Sequence, residues 1–169
     1  MRALTIGCLG GCLGGCLGLI AAAAAPAHAQ LITEKALSLA TALTIATTAH
    51  DTCKANGNKV SVTVLGNEGQ ILVQLRGDGS SPHTIENSQR KAYTSRTFRI
   101  PSGEFANRIK DNPTSGLAHL NGVIAAQGAL PIKVGGEVIG AVGVSGSPGG
   151  DKDEVCAKAG IDKVADQLK

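Results

Sequence analysis

Two alternating stretches, each turned back on itself by glycines, constrain the fold of this chain more than any other feature. Lys59 to Leu65 alternates with β-branched residues, passes through Gly66-Asn67-Glu68-Gly69 and returns as Gln70 to Arg76. Leu130 to Val134, the Gly135-Gly136 turn and Glu137 to Ser145 repeat the pattern. A period of two marks a strand, and tight glycine turns join such strands as antiparallel hairpins. The apolar segment Gly122 to Gln127 reads as a further strand, which brings the sheet to five.

A sheet of this kind has to be covered by helices. Thr33 to about Ala55 reads as the first, with Thr33 as N-cap and Leu39, Leu43, Ala46, His50 and Cys53 on one face. A second is expected from Thr84 to about Phe98, and a short third starts at Ser102 and stops before Pro113. The last should run from Asp151 to Leu168, with Asp151 and Glu154 in capping-box spacing. No linker interrupts this order, so the expectation is one α+β domain over residues 30–169.

Residues 1–29 have another character. Arg2 precedes an uncharged apolar run, and Ala27-His28-Ala29 is a small-residue cleavage site, so this segment reads as a secretory signal peptide. A membrane anchor and a lipoprotein signal are the alternatives. Glycines within the run and the lack of a basic flank favour cleavage and a periplasmic or secreted product. Cleavage removes three cysteines and leaves Cys53 and Cys156. An even count in an oxidising compartment points to a disulfide, worth about 4–5 kcal/mol on the chain-entropy model. Two buried thiols that never meet are the alternative.

Composition excludes several functions. Sixteen basic residues against thirteen acidic make no basic stripe, and Tyr93, Phe98 and Phe105 are the only aromatics. Nucleic acid and aromatic-platform carbohydrate ligands are therefore disfavoured. No dinucleotide-binding fingerprint, P-loop, hydrolase elbow, HExxH or mature CxxC occurs. Three histidines follow the signal segment: His50, His83 and His119. His83 falls in a polar loop, and His119 follows Gly116-Leu117-Ala118. His50, on the apolar face of the first helix, is either a satisfied core histidine or an axial ligand to haem iron. Arg76, Arg90, Lys91, Arg96 and Arg99 form either a solvated face or partners for carboxylates such as haem propionates.

The run Leu75-Arg76-Gly77-Asp78-Gly79-Ser80-Ser81-Pro82-His83-Thr84, with Arg90-Lys91-Ala92-Tyr93-Thr94 after it, resembles the GlcG/HbpS family of haem-binding proteins. So does the tail from Gly135-Gly136 through Ile139-Gly140-Ala141-Val142-Gly143-Val144-Ser145-Gly146 to Asp153 and Ala159-Gly160. The resemblance, shared with the C-terminal domain of PduO-type proteins, implies a profilin-like five-stranded antiparallel sheet and homo-oligomers. For an exported member it implies binding of haem b in haem sensing, scavenging, storage or degradation. The partner it implies is a membrane sensor or another exported protein. The PduO-like branch uses a first-helix histidine, which corresponds to His50; the HbpS branch points instead to Thr94. Arg90, Lys91 and Arg96 would then lie near the propionates. The sequence departs from the family at Leu65-Gly66, where the family carries Val-Asp. The competing expectations are an enzyme acting on small hydroxy acids or a corrinoid-related ligand through Arg76, Asp78 and Lys91, and an accessory protein with a vestigial pocket.

Overall fold

The computed structural model describes residues 31–169, so the expected signal peptide lies outside the described residues. Residues 34–169 form one compact unit of α+β architecture. The first helix, α1 (Leu39–Ala55), starts later than the sequence suggests, because Ser38 rather than Thr33 caps it. The Ser38 hydroxyl accepts the Thr41 N–H at 3.1 Å, satisfying a donor that the first helical turn leaves without a partner. Leu37, just before the cap, is buried against Gly140, where a Cβ would stand 2.7 Å from Leu37 Cδ1.

Strands β1 (Ser61–Leu65) and β2 (Ile71–Arg76) form the first hairpin, and β3 (Ala129–Val134) and β4 (Glu137–Ser145) form the second. The order β2-β1-β4-β3 is antiparallel throughout and sets Ser61 opposite Ser145, Thr63 opposite Gly143 and Leu65 opposite Ala141. The alternation sorts the two faces. Val62, Val64, Val142 and Val144 join the core with Ala42, Ile45, Ala46 and Ala49 of α1 and Cys156 and Ala157 of α4 (Gly150–Lys163). Ser61, Thr63 and Leu65 face α2 (Thr84–Phe98): Ser61 Oγ meets Thr84 Oγ1 at 2.8 Å, and Thr63 Oγ1 meets Ser88 Oγ at 2.8 Å. Leu65 packs with Ala92 and Ala141. On that side α3 (Ser102–Asp111) is tied to α2 by the stacked rings of Phe98 and Phe105.

The sheet has four strands, not five. Gly122 to Gln127 forms no strand because the side chains of α2 claim its backbone. Thr94 Oγ1 accepts the Ile124 N–H at 2.9 Å, and an Arg90 N–H donates to Val123 O at 2.9 Å. With those groups satisfied, the segment has no need of a ladder. At the other end, α4 stops at Lys163, and a 3-10 turn covers Ala165–Gln167. The expected capping box is not formed: Gly149 occupies the cap, the Asp153 carboxylate accepts the Ser147 N–H at 3.0 Å, and Glu154 binds Gln127 at 2.8 Å.

Cys53 and Cys156 are joined in a disulfide that ties the last turn of α1 to the middle of α4. The two helices approach closely because the contact is made of small residues: a Cβ on Gly160 would stand 3.3 Å from Ala49 Cβ. This choice also rotates α1. The buried side belongs to Ala42, Ile45, Ala46, Ala49 and Cys53, whereas Leu39 and Leu43 are 65% and 46% exposed. Among the described residues, no helix is long and apolar enough to cross a membrane.

Candidate functional site

His50 lies in the penultimate turn of α1, with 22% of its side chain exposed. Its Nδ1 is 3.0 Å from Asp51 Oδ1. A carboxylate only accepts, so Nδ1 is the donor in this contact, which orients the ring. Nε2 points toward Gly77, where a Cβ would come within 2.8 Å of it. Gly77 is held there by its N–H bond to Val60 O at 2.9 Å, and its missing side chain is what lets the imidazole pack this close. Around the pair runs an open groove of about 270 Å³, lined also by Lys54, Asn58, Lys59 and Asp78.

Lys54 follows His50 by four residues and therefore shares its flank of the helix, a signal present in the sequence. Lys59 and Gly77 arrive through the pairing of β1 with the end of β2, and nothing local announces them. Backward along α1, a seven-residue step from His50 reaches Leu43, and a further four reach Leu39. At 3.6 residues per turn all three fall near one line, so His50 ends a partly exposed apolar flank rather than lying inside an apolar core.

The α2 residues are placed elsewhere, because α2 and α1 cover opposite faces of the sheet. Thr94 is fully buried; its hydroxyl donates to Arg90 O at 2.8 Å and accepts the Ile124 N–H. Arg90 also pairs with Glu86 at 3.5 Å, and an Arg96 N–H donates to Asn67 Oδ1 at 2.7 Å. Lys91 extends past the end of the sheet and joins Asp153 of α4 at 2.9 Å. Thus Arg90, Lys91, Arg96 and Thr94 are not brought to His50 within the chain. Neither do Arg76, Asp78 and Lys91 converge: Arg76 donates to Ser80 O at 3.1 Å, Asp78 borders the His50 groove, and Lys91 is at the sheet end. His83 precedes α2 and is exposed, and His119 is exposed in the 3-10 turn Gly116–His119.

A four-stranded antiparallel sheet between two helical layers, with one sheltered imidazole beside it, defines a small α+β domain. Residues 37–162 match the family model described as "Haem degrading protein HbpS-like". The chain belongs to that HbpS-like family. A double mutant of Streptomyces reticuli HbpS is similar at 35% identity over 83% of this chain and 97% of that one, with a TM-score of 0.76. A crystal structure of HbpS is 34% identical over 79% and 93% of the two chains, with a TM-score of 0.75. A PduOC–haem complex shares the fold at 21% identity, covering 76% of this chain and 95% of that one, with a TM-score of 0.70. No curated protein sequence matches the chain.

Proposed function

We propose that this protein binds haem b and that His50 Nε2 is the axial donor to its iron. The observation that carries the reading is the imidazole oriented by Asp51 at the edge of an open groove in a chain of the HbpS-like family. An iron-ligating histidine needs a neutral, oriented imidazole whose other nitrogen donates to an acceptor, and Asp51 provides that acceptor. Lys54 and Lys59, which border the groove, supply positive charge for the propionates, and the exposed Leu43–Leu39 flank supplies apolar contact. These residues fit one side of a haem. The groove is open and much of the macrocycle's cover has to come from another chain. Bound haem supplies a redox-active iron; the chain's own groups orient it and neutralise its carboxylates.

The rest of the proposal rests on the signal-peptide pattern of residues 1–29 and on the same membership. The protein acts after export and removal of residues 1–29, assembles as a homo-oligomer, and serves haem sensing, scavenging or storage. Its partner is a membrane sensor or another exported protein.

Haem titration followed by absorbance tests the assignment. A saturable shift of the main haem band is expected in the native protein and should be lost in His50→Ala, with the fold checked by circular dichroism. A shift that persists at full stoichiometry in that variant overturns His50 as the ligand. Replacing both Lys54 and Lys59 by alanine should weaken binding about 2- to 30-fold, the scale of two exposed charge pairs at about 0.2–1 kcal/mol each.

A further inference from the structure

Asparagine followed by glycine occurs twice in the chain, at Asn56-Gly57 and at Asn121-Gly122. The pairing has a chemistry of its own. A glycine carries no side chain to hinder its amide, so its nitrogen can reach the carboxamide carbon of the asparagine before it. The fold treats the two pairs differently. Asn56 caps the end of α1, where three successive N–H groups are tied down: Asn56 to Cys53 O at 3.1 Å, Gly57 to Lys54 O at 2.9 Å and Asn58 to Cys53 O at 2.9 Å. Attack by the Gly57 nitrogen requires this helix end to come undone, and Cys53 is itself anchored by its disulfide.

Asn121 and Gly122 instead form an exposed turn, closed by the Val123 N–H on Leu120 O at 3.1 Å. Among the described residues neither the Gly122 N–H nor the Asn121 side chain has a hydrogen-bond partner. Glycine is required here for two reasons. Its φ is +78°, which costs any residue with a side chain, and a Cβ would stand 3.1 Å from the Tyr93 ring. The residue that the turn demands is therefore the one that makes its neighbour reactive. Directly after it, Val123 is buried and its carbonyl accepts an Arg90 N–H, while Thr94 Oγ1 accepts the Ile124 N–H. The turn thus opens the segment that is strapped to α2.

We propose that Asn121 is a site of spontaneous deamidation and that isoaspartate formed there frees the 122–124 segment from α2. The Gly122 nitrogen attacks Asn121 Cγ. The N–Cγ bond forms, the Cγ–Nδ2 bond breaks, and the Gly122 proton leaves with Nδ2 as ammonia. Water then opens the cyclic imide. Breaking the N–Cγ bond leaves aspartate, whereas breaking the bond from that nitrogen to Asn121 C leaves isoaspartate. No oxidant or reductant takes part. Isoaspartate runs the main chain through Cβ and lengthens it by a methylene. Gly122 already lies against Tyr93, so the added length displaces Val123 and Ile124 from their partners on α2. This site stands independently of the haem reading.

Incubating the full chain in heavy-oxygen water at mildly alkaline pH tests the first step. Trypsin digestion in ordinary water follows, so that only the incubation is recorded by mass spectrometry. Residues 55–59 and 111–133 come away as separate peptides, each with one Asn-Gly pair. Label should enter at Asn121 about tenfold or more faster than at Asn56, because three hydrogen bonds protect the helix end. In urea the two rates should converge. An equal or slower rate at Asn121 in the folded protein overturns the proposal, and so does a preference for Asn121 that persists in urea. The second step is read by hydrogen exchange at Ile124 in the aged fraction, separated by its added negative charge. Asn121→Asp carries the same charge without the extra methylene. Exchange at Ile124 should rise about tenfold in the isoaspartate form and stay unchanged in Asn121→Asp. Equal exchange in the two overturns the release of the segment.

Discussion

Lys91 and Thr94 show how much a single buried polar side chain carries in this molecule. Lys91 joins the two helical layers around the sheet end through Asp153, and both are shielded from water. Replacing it with methionine should destabilise the protein by about 3–5 kcal/mol, because an uncompensated carboxylate stays behind. Chemical denaturation would measure this, and a loss under 1 kcal/mol would show that water reaches Asp153 freely. Thr94 holds the 123–124 segment by accepting the Ile124 N–H and donating to Arg90 O. Thr94→Val keeps the shape but leaves that N–H without its acceptor, so a loss of about 1–3 kcal/mol is expected. Both residues stand out in the sequence as polar groups on a helix. Their partners, 62 and 30 residues away, do not.

Among elements, the contact of α1 with α4 depends on small side chains and on the Cys53–Cys156 bond. The bond closes a loop of 103 residues, so Cys53→Ala with Cys156→Ala should cost about 4–5 kcal/mol on the chain-entropy model. Comparison of denaturation midpoints with the disulfide intact and removed checks this. Because both sulfurs are buried, reductant should act slowly on the folded protein. The opposite layer depends on a different small residue. A Cβ on Gly143 would stand 2.7 Å from the Ala92 backbone nitrogen, and a backbone atom cannot swing aside. Gly143→Ala should therefore cost about 1–3 kcal/mol by overpacking, with α2 pushed off the sheet. Urea unfolding would register the loss.

Over the whole molecule, the exposed Leu39 and Leu43 matter most. They extend the line of His50 along a flank that the described residues leave uncovered, the place where the proposed homo-oligomer would bury apolar area. Sedimentation should give a multiple of the monomer mass, reduced toward the monomer by Leu39→Lys with Leu43→Lys. A native protein already monomeric at high concentration would remove the support for that assembly.

The hairpins, the α2 and α3 spans and the disulfide partners were readable from residue order, since each rests on local periodicity, turn chemistry or a count of two cysteines. The family could be recognised for the same reason, as its motifs are contiguous. The missing fifth strand, the late start of α1 and the outward leucines were not readable. An apolar run is indifferent to whether a strand or a set of helix side chains satisfies its backbone, and the buried side of a helix is chosen by its neighbours. Functional grouping behaved alike. The residues singled out His50 and Lys91 as chemically able and the resemblance added Thr94, but the sheet placed His50 on one side and Thr94 on the other. It also carried Lys91 to an end where Val144 O and Asp153 meet it. Such grouping depends on contacts between residues far apart in the chain, and only packing decides those.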